Sequence, residues 1–376
     1  MKRTNKSLSA IIVVITIFIL AFSGFAEIET DAVGVSASSA VLIEANSGKI
    51  IYEKNCHIRK GMASTTKIMT ALVAIENGDL DMKIRIPREA VGIEGSSLYL
   101  IENEELTLHE LLYGLMLRSA NDAAVAIAIA IGGSTEGFAD MMNARADEMG
   151  LENTHFVNPH GLDSDEHYTT AYDLAIITSE ALKNQVFQEI VSTYSKTLSH
   201  NGVPDRRIVV NHNRLLKNYK GCIGVKTGFT KKCGRCLVSA AERDGVILIA
   251  VTLGAPNDWK DHTSMLDYGF DLYESVELDG ALSGEAHVVG GINDKVSYSS
   301  SGKEKVVILR NTESIRRCVE MQRFYYAPIK NGDVLGHVVY YEGDNEIASF
   351  PIIAQNVVNK PKPKKSFVAW IKSLFN

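Results

Sequence analysis

The chain has 376 residues, 45% of them apolar, and a formal net charge of −6. That suffices for two domains with real cores, and it excludes disorder as the default state. With so mild an acidic balance, and no RNP-type or zinc-finger pattern, a nucleic-acid partner is excluded as well.

In chain order, the first residues read as an export signal. Lys2, Arg3 and Lys6 form a basic start, residues 8–22 an apolar run, and Gly24-Phe25-Ala26 a small-x-small cleavage site. Residues 1–26 are therefore expected to be a signal peptide. The alternative is an uncleaved anchor, but the run is short for a span of ~20 residues. Runs at 40–45 and 50–53, separated by Asn46-Ser47-Gly48-Lys49, predict a first hairpin. A second, at 236–241 and 246–253, flanks Arg243-Asp244-Gly245. Between the hairpins the pattern is helical. An apolar helix over 68–75 stops at Asn77-Gly78, and Thr107 to Glu110 form a capping box ahead of 111–117. Residues 119–131 are rich enough in Ala and Ile to be buried on most sides. Thr170 and Asp173 repeat the capping signature before a helix ending near Asn184, and a helix over 259–273 closes the domain. Strands at both ends with helices between them predict an α/β domain over 32–275. Its sheet takes its two edges from the two ends of the domain.

From about residue 276 short alternating runs, such as 306–309 and 338–341, alternate with turns. They predict a small all-β sandwich over 276–358. Residues 359–365 are a Lys/Pro linker leading to 366–376. There Phe367, Trp370, Ile371, Leu374 and Phe375 share one helical face. So short a helix is marginal alone in water, and a lipid interface offsets its ordering cost. Each such side chain is worth roughly 1.5–3 kcal/mol when fully buried. Lys364, Lys365 and Lys372 add attraction to anionic lipid. The expected partner is the outer face of the cytoplasmic membrane. The competing possibility, docking on the chain's own β-domain, is disfavoured by the extended Lys-Pro tether.

Five cysteines (Cys56, Cys222, Cys233, Cys236 and Cys318) cannot all pair within one chain. Cys233-Gly-Arg-Cys236 is the one suggestive spacing. It reads as incidental thiols, as a local disulfide or redox pair, or as half of a metal site whose second pair is missing.

Three short motifs occur in order: Ser64-Thr-Thr-Lys67, Ser119-Ala-Asn121 and Lys226-Thr-Gly228. Each alone is weak; S-x-x-K by itself is usually a helix start with a solvated lysine. Ser64, however, stands where a loop turns into an apolar helix, and the positive end of a helix favours a developing anion. Lys67, three residues on, shares its face. To take the Ser64 proton Lys67 must be neutral, whereas an unperturbed lysine is neutral in only about one molecule in a few thousand at pH 7. Burial beside a second cation, Lys226, would supply the shift. Ser119 and Asn121 occupy a turn between two helices, and both are also good N-caps. Read functionally, Ser119 relays a proton to the leaving amine while Asn121 holds a substrate amide. Lys226 and Thr227 suit a terminal carboxylate, Gly228 permits close approach of a substrate backbone, and the N–H groups of Ser64 and Phe229 are the expected oxyanion hole.

The motif set is a known pattern of penicillin-binding proteins and class A β-lactamases. Residues 63–72 and 118–124, Asn158-Pro-His-Gly-Leu162, and residues 167–175 and 224–230 resemble the low-molecular-mass D-Ala-D-Ala carboxypeptidases of peptidase family S11. The likeness covers nearly the whole expected mature chain. It implies a serine β-lactamase-like α/β domain with an antiparallel sheet, followed by a small β-sandwich and an amphipathic anchor. It further implies an exported enzyme that acts on peptidoglycan stem peptides, is inhibited by β-lactam antibiotics such as penicillin, and needs no cofactor or metal. Met62 stands where the family often has proline, a loop detail. His155, His160 and His167 lie in a loop matched by family residues without metal roles. The nearest rival, a β-lactamase, would need an added glutamate base; Glu166 lies between the second and third motifs, but its neighbours match the family loop. A catalytically silent wall-binding scaffold would be expected to lose Ser64 or Lys67.

Overall fold

The computed structural model describes residues 33–200, 203–310 and 315–362. The expected signal peptide and anchor helix, and the linker beyond residue 362, lie outside the described residues. The chain forms two compact units: one of residues up to 242 together with Ile247–Gly269, the other of Arg243–Val246 together with the chain from Phe270 on.

The first unit is organised by a five-stranded sheet in the order β2-β1-β9-β8-β7. Strands β1 (Ser39–Glu44) and β2 (Ile50–Lys54) are the first predicted hairpin. The small ribbons are β3 (Lys83–Arg85) with β4 (Glu105–Thr107) and β5 (Ser195–His200) with β6 (Val203–Val210). Strands β7 (Cys222–Thr230), β8 (Gly234–Arg243) and β9 (Val246–Leu253) complete the sheet. Strand β9, apolar except for Thr252 and buried over nearly its whole length, can only be an inner strand. It pairs antiparallel with β1, Ser39 opposite Leu253. The first strand of the chain thus closes on the last strand of the unit, with the helical region inserted between. The edges are β2 and β7, as the chain order implies.

The helices are α1 (Lys67–Asn77), α2 (Leu108–Leu117), α3 (Asn121–Gly132), α4 (Thr135–Glu148), α5 (Ala171–Leu182), α6 (Gln185–Ser192), α7 (Leu215–Asn218) and α8 (Asp258–Leu272). The predicted capping box is present: Glu110 N–H donates to Thr107 Oγ1 at 3.1 Å, and Thr107 N–H donates to Glu110 Oε2 at 3.0 Å. Thr170 caps α5 one way only, accepting from Asp173 N–H at 2.9 Å, while the Asp173 carboxylate accepts from Thr154 Oγ1 at 2.8 Å. Helix α3 is buried from Asn121 through Ala128 and ends at Gly133, whose φ of +76° suits a left-handed cap. The apolar faces of α1, α2 and α3 and the inner face of the sheet form one continuous core, where truncating Ile127 to alanine would cost about 2–5 kcal/mol. The region between the hairpins is not wholly helical, however. The ribbons β3–β4 and β5–β6 interrupt it, because strands this short or this polar leave no alternating apolar signal.

The second unit is all-β, as expected. Strand β10 (Tyr273–Asp279) pairs with β13 (Lys303–Leu309). A six-stranded sheet has the order β14-β16-β17-β12-β11-β15; its strands are β11 (Leu282–Val289), β12 (Lys295–Ser300), β14 (Ile315–Met321), β15 (Tyr325–Tyr326), β16 (Val334–Glu342) and β17 (Asn345–Ala354). Its apolar interior falls into two clusters, one around Val338, Phe350 and Ile352, the other around Val296, Ile329 and Val358.

Candidate active site

Ser64 sits in a one-turn 3-10 helix, Ala63–Thr66, that runs into α1 at Lys67. The turn is anchored by its own threonines. Thr65 Oγ1 donates to the Met62 carbonyl at 2.6 Å and Thr66 Oγ1 to the Ala63 carbonyl at 2.8 Å. The loop carrying His160 presses on it from one side. Gly161, at φ +87°, lies so close that a Cβ there would stand 2.0 Å from the Ala63 carbonyl oxygen. From the other side comes β7, where a Cβ at Gly228 would meet Ser64 N and Thr65 N at 3.1 Å. Backbone approach this tight is what glycine permits.

Lys67 is fully buried, and its Nζ donates to Ser64 Oγ at 3.0 Å, to Asn121 Oδ1 at 2.7 Å and to the His160 carbonyl at 2.5 Å. Burial, and then the charge of Lys226, hold its pKa well below the ordinary lysine value, against a smaller opposing pull from Asp122. Lys226, on β7 and only 1% exposed, is brought down to about 7 by burial; its Nζ donates to the Thr227 carbonyl at 2.9 Å. Asn121 opens α3, and its Nδ2 donates to the Glu94 carbonyl at 2.5 Å, so both ends of its amide are held. Ser119, at φ +63° in the turn between α2 and α3, is 5% exposed and reaches the same cleft. Thus Ser64, Lys67 and Asn121 are joined by direct hydrogen bonds. Ser64, Ser119, Thr227, Gly228 and Phe229 line one cleft of about 520 Å³.

The cleft has walls that motif reading missed. His212, Arg214, Arg235, Asp258 and Trp259 line it, as does Ser96. Arg235 Nε donates to Asp258 Oδ2 at 2.9 Å. Burial, Lys226 and Arg118 together lower the pKa of His212. Asp122, inside the 118–124 run, is a further residue to which motif reading gave no role. Its buried carboxylate accepts from Ser97 Oγ at 2.6 Å, Leu98 N–H at 3.0 Å and Leu100 N–H at 3.1 Å, fixing the segment that carries Ser96. The one carboxylate of the lining, Asp258, is paired with Arg235, and Arg214 adds a further positive charge, so the lining suits an anionic ligand.

The histidines of the 155–167 loop are committed to hydrogen bonds. His155 Nδ1 meets the Glu166 carbonyl, His160 Nδ1 accepts from Leu162 N–H, and His167 Nε2 lies 2.7 Å from Thr66 Oγ1. Glu166 is exposed and is not among the residues lining the cleft. All five cysteines are free thiols, and Cys233 Sγ donates to Asp163 Oδ1 at 3.2 Å.

The family model for D-alanyl-D-alanine carboxypeptidase matches residues 26–257, and that for the C-terminal domain of penicillin-binding protein 5 matches residues 279–360. A Bacillus subtilis protein named D-alanyl-D-alanine carboxypeptidase DacF is 35% identical over 98% of this chain and 97% of its own length. DacA of Escherichia coli, of the same activity name, is 30% identical over 91% of this chain and 88% of its own. Among solved structures, penicillin binding protein 5 from Haemophilus influenzae superposes with a TM-score of 0.69 at 29% identity, covering 87% of this chain and 98% of that one. Since the first of these models spans more than half of the sequence and contains all three motifs, the chain belongs to the D-alanyl-D-alanine carboxypeptidase family, peptidase family S11.

Proposed function

We propose that Ser64 is the nucleophile with which this serine D-alanyl-D-alanine carboxypeptidase removes the terminal D-alanine from peptidoglycan stem pentapeptides, and the residue that penicillin acylates. The observation that carries the assignment is the fully buried Lys67 amine, its pKa lowered, 3.0 Å from Ser64 Oγ. Neutral Lys67 accepts the Oγ proton as Oγ attacks the carbonyl of the penultimate D-alanine. The N–H groups of Ser64 and Phe229 receive the oxyanion. When the tetrahedral species collapses, the proton on Lys67 passes through Ser119 to the departing amine, and D-alanine leaves. Water then attacks the Ser64 ester, gives a proton back through Lys67, and frees the shortened stem and Ser64 Oγ–H. Lys226 and Thr227 bind the terminal carboxylate that makes the reaction a carboxypeptidase cleavage, with Asn121 on a substrate amide.

The finer placement of the enzyme is part of the same reading. Residues 1–26 direct export, residues 32–275 form the catalytic domain and 276–358 the β-rich domain. Residues 366–376 adsorb on the outer face of the cytoplasmic membrane. Among the described residues no single helix is long and apolar enough to cross a membrane.

The chain from residue 27 on, incubated with a pentapeptide ending in D-Ala-D-Ala, should lose one alanine in a reaction that penicillin blocks. Ser64→Ala should abolish both turnover and covalent penicillin uptake, a loss on the order of 10³-fold or more. Covalent labelling that persisted in that variant would remove Ser64 from the mechanism. Steady hydrolysis of penicillin with the peptide untouched would favour a β-lactamase.

A further inference from the structure

Among the described residues, five of the eight exposed large apolar side chains of the second unit lie at one end; Leu309, Val319 and Val334 are the other three. Tyr326 is 70% exposed, Ile292 65%, Val357 49%, Phe324 44% and Val289 39%. The backbone brings them together. Val289 pairs in parallel register with Tyr326, and the Phe324 and Tyr326 rings meet edge-on with centroids 5.5 Å apart. Ile292 N–H donates to the Asn359 carbonyl at 2.8 Å, and Val358 bridges to Ile329. Beneath them Val288, Ala327, Ile329 and Val358 are buried, so the patch stands on a formed core and is not a frayed edge. The chain leaves the described structure at this same end, through Val357, Asn359 and Lys360.

We propose that this end of the second unit is a lipid-contacting surface, which enters the interface of an anionic membrane beside the C-terminal segment. The inference rests on the membrane-adsorbing reading of residues 366–376 and adds a second, folded contact to it. Clustered exposed apolar groups mark an interaction site, and two things on the molecule say what covers this one. The tail that departs from the patch carries five large apolar residues at helical spacing, and it is only a few residues away from the patch along the chain. A tail on a lipid surface therefore brings the patch to that surface. Charge selects between lipid and the tail itself. Exposed Arg323, Lys330, Lys360 and Lys362 flank the patch, against Asp294 and Asp333, while residues 363–376 contain three lysines and no acidic side chain. A cationic tail is repelled from a cation-flanked patch, whereas both are drawn to anionic headgroups. Aromatic rings beside aliphatic side chains and cations are also the side-chain chemistry of a membrane interface.

The test compares the chain from residue 27 to 376 with its Ile292→Ser/Phe324→Ser/Tyr326→Ser variant on vesicles containing phosphatidylglycerol. The variant should partition at least about tenfold more weakly, with penicillin labelling and far-UV circular dichroism unchanged. The chain ending at residue 362 should keep weak vesicle binding that the same three substitutions abolish. Equal partitioning of the full chain and its triple variant would overturn the proposal. So would binding of a 363–376 peptide to the 27–362 chain in lipid-free buffer, lost in the variant, or a dimer that the variant dissociates. Failure of the tail reading looks different: the chain ending at 362 would then partition as strongly as the full chain.

Discussion

Replacing Lys67 by arginine separates its charge from its ability to give that charge up. Arginine supplies a cation and donors to Ser64 Oγ, Asn121 Oδ1 and the His160 carbonyl, the three acceptors that Lys67 now serves, but it stays protonated throughout the accessible pH range. A lysine with an unperturbed pKa is neutral in about one molecule in a few thousand at pH 7, so the most that burial and Lys226 can recover in ready base is about 10³-fold. Losing that base entirely, together with the 10²–10⁴-fold typical of general-base catalysis, sets the expected loss in acylation at about 10³–10⁴-fold, or about 4–5.5 kcal/mol of barrier. The assay is the second-order rate of covalent penicillin labelling from pH 6 to 10, with a thermal melt to show that the variant is folded. In the parent that rate should rise with pH along an acid limb below the ordinary lysine range, because the Lys67 pKa is lowered; in Lys67→Arg the limb should vanish. Labelling of the folded variant within tenfold of the parent would refute Lys67 as the base.

Three further outcomes follow from the geometry. Burial brings Lys226 to about 7, and its charged form is the one that suits a carboxylate. The kcat/KM for the pentapeptide should therefore fall as pH rises through about 7, and Lys226→Gln should lower kcat/KM and remove that limb. Gly228→Ala should slow penicillin acylation about tenfold with little change in melting temperature, since the added Cβ stands 3.1 Å from Ser64 N and Thr65 N; a rate unchanged within twofold would show that the nucleophile's turn yields freely. His262, fully buried between Ser239 and Thr252, has its pKa depressed to about 3 by burial. Its folded-state value lies below its unfolded one, so its contribution to stability is present above about pH 6.5 and is lost as pH falls. Between pH 7 and 5 that loss is about 2 kcal/mol, and urea titrations of His262→Gln should show a shallower decline by about that amount.

The Ser64–Lys67 side of the cleft was legible as an arrangement of side chains because its determinants are local. A serine and a lysine three residues apart stay together once one helical turn forms, and the Thr107–Glu110 capping box carries its own hydrogen-bond chemistry. The opposite wall was not. His212, Arg214, Arg235, Asp258 and Trp259 belong to segments with no motif between them, and they meet only because the segment between β6 and α7, strand β8 and the start of α8 come to one cleft. Nor does a Lys-Thr-Gly triplet announce that Lys226 will be 1% exposed; on an edge strand that depends on what covers the strand. The β5–β6 ribbon escaped for a further reason. Lys196, Arg206 and Arg207 break up its apolar pattern, and a ribbon outside the main sheet needs little apolar alternation to form.

The pairing of β1 with β9 has a consequence for how the protein is made. Ser38 Oγ donates to the Leu253 carbonyl across 215 residues of sequence, so the central sheet cannot close until nearly the whole first unit is available. Contacts of such sequence separation slow folding. A chain that emerges N-terminus first presents the β1–β2 hairpin with a bare inner edge while the intervening helices are still arriving, and an apolar strand edge left open is a site of misassociation. Substitutions that merely speed collapse of the helical region would leave that edge exposed just as long. The interval is set by the arrival of β9, and the cleft waits a little longer still, for Asp258 and Trp259 at the start of α8.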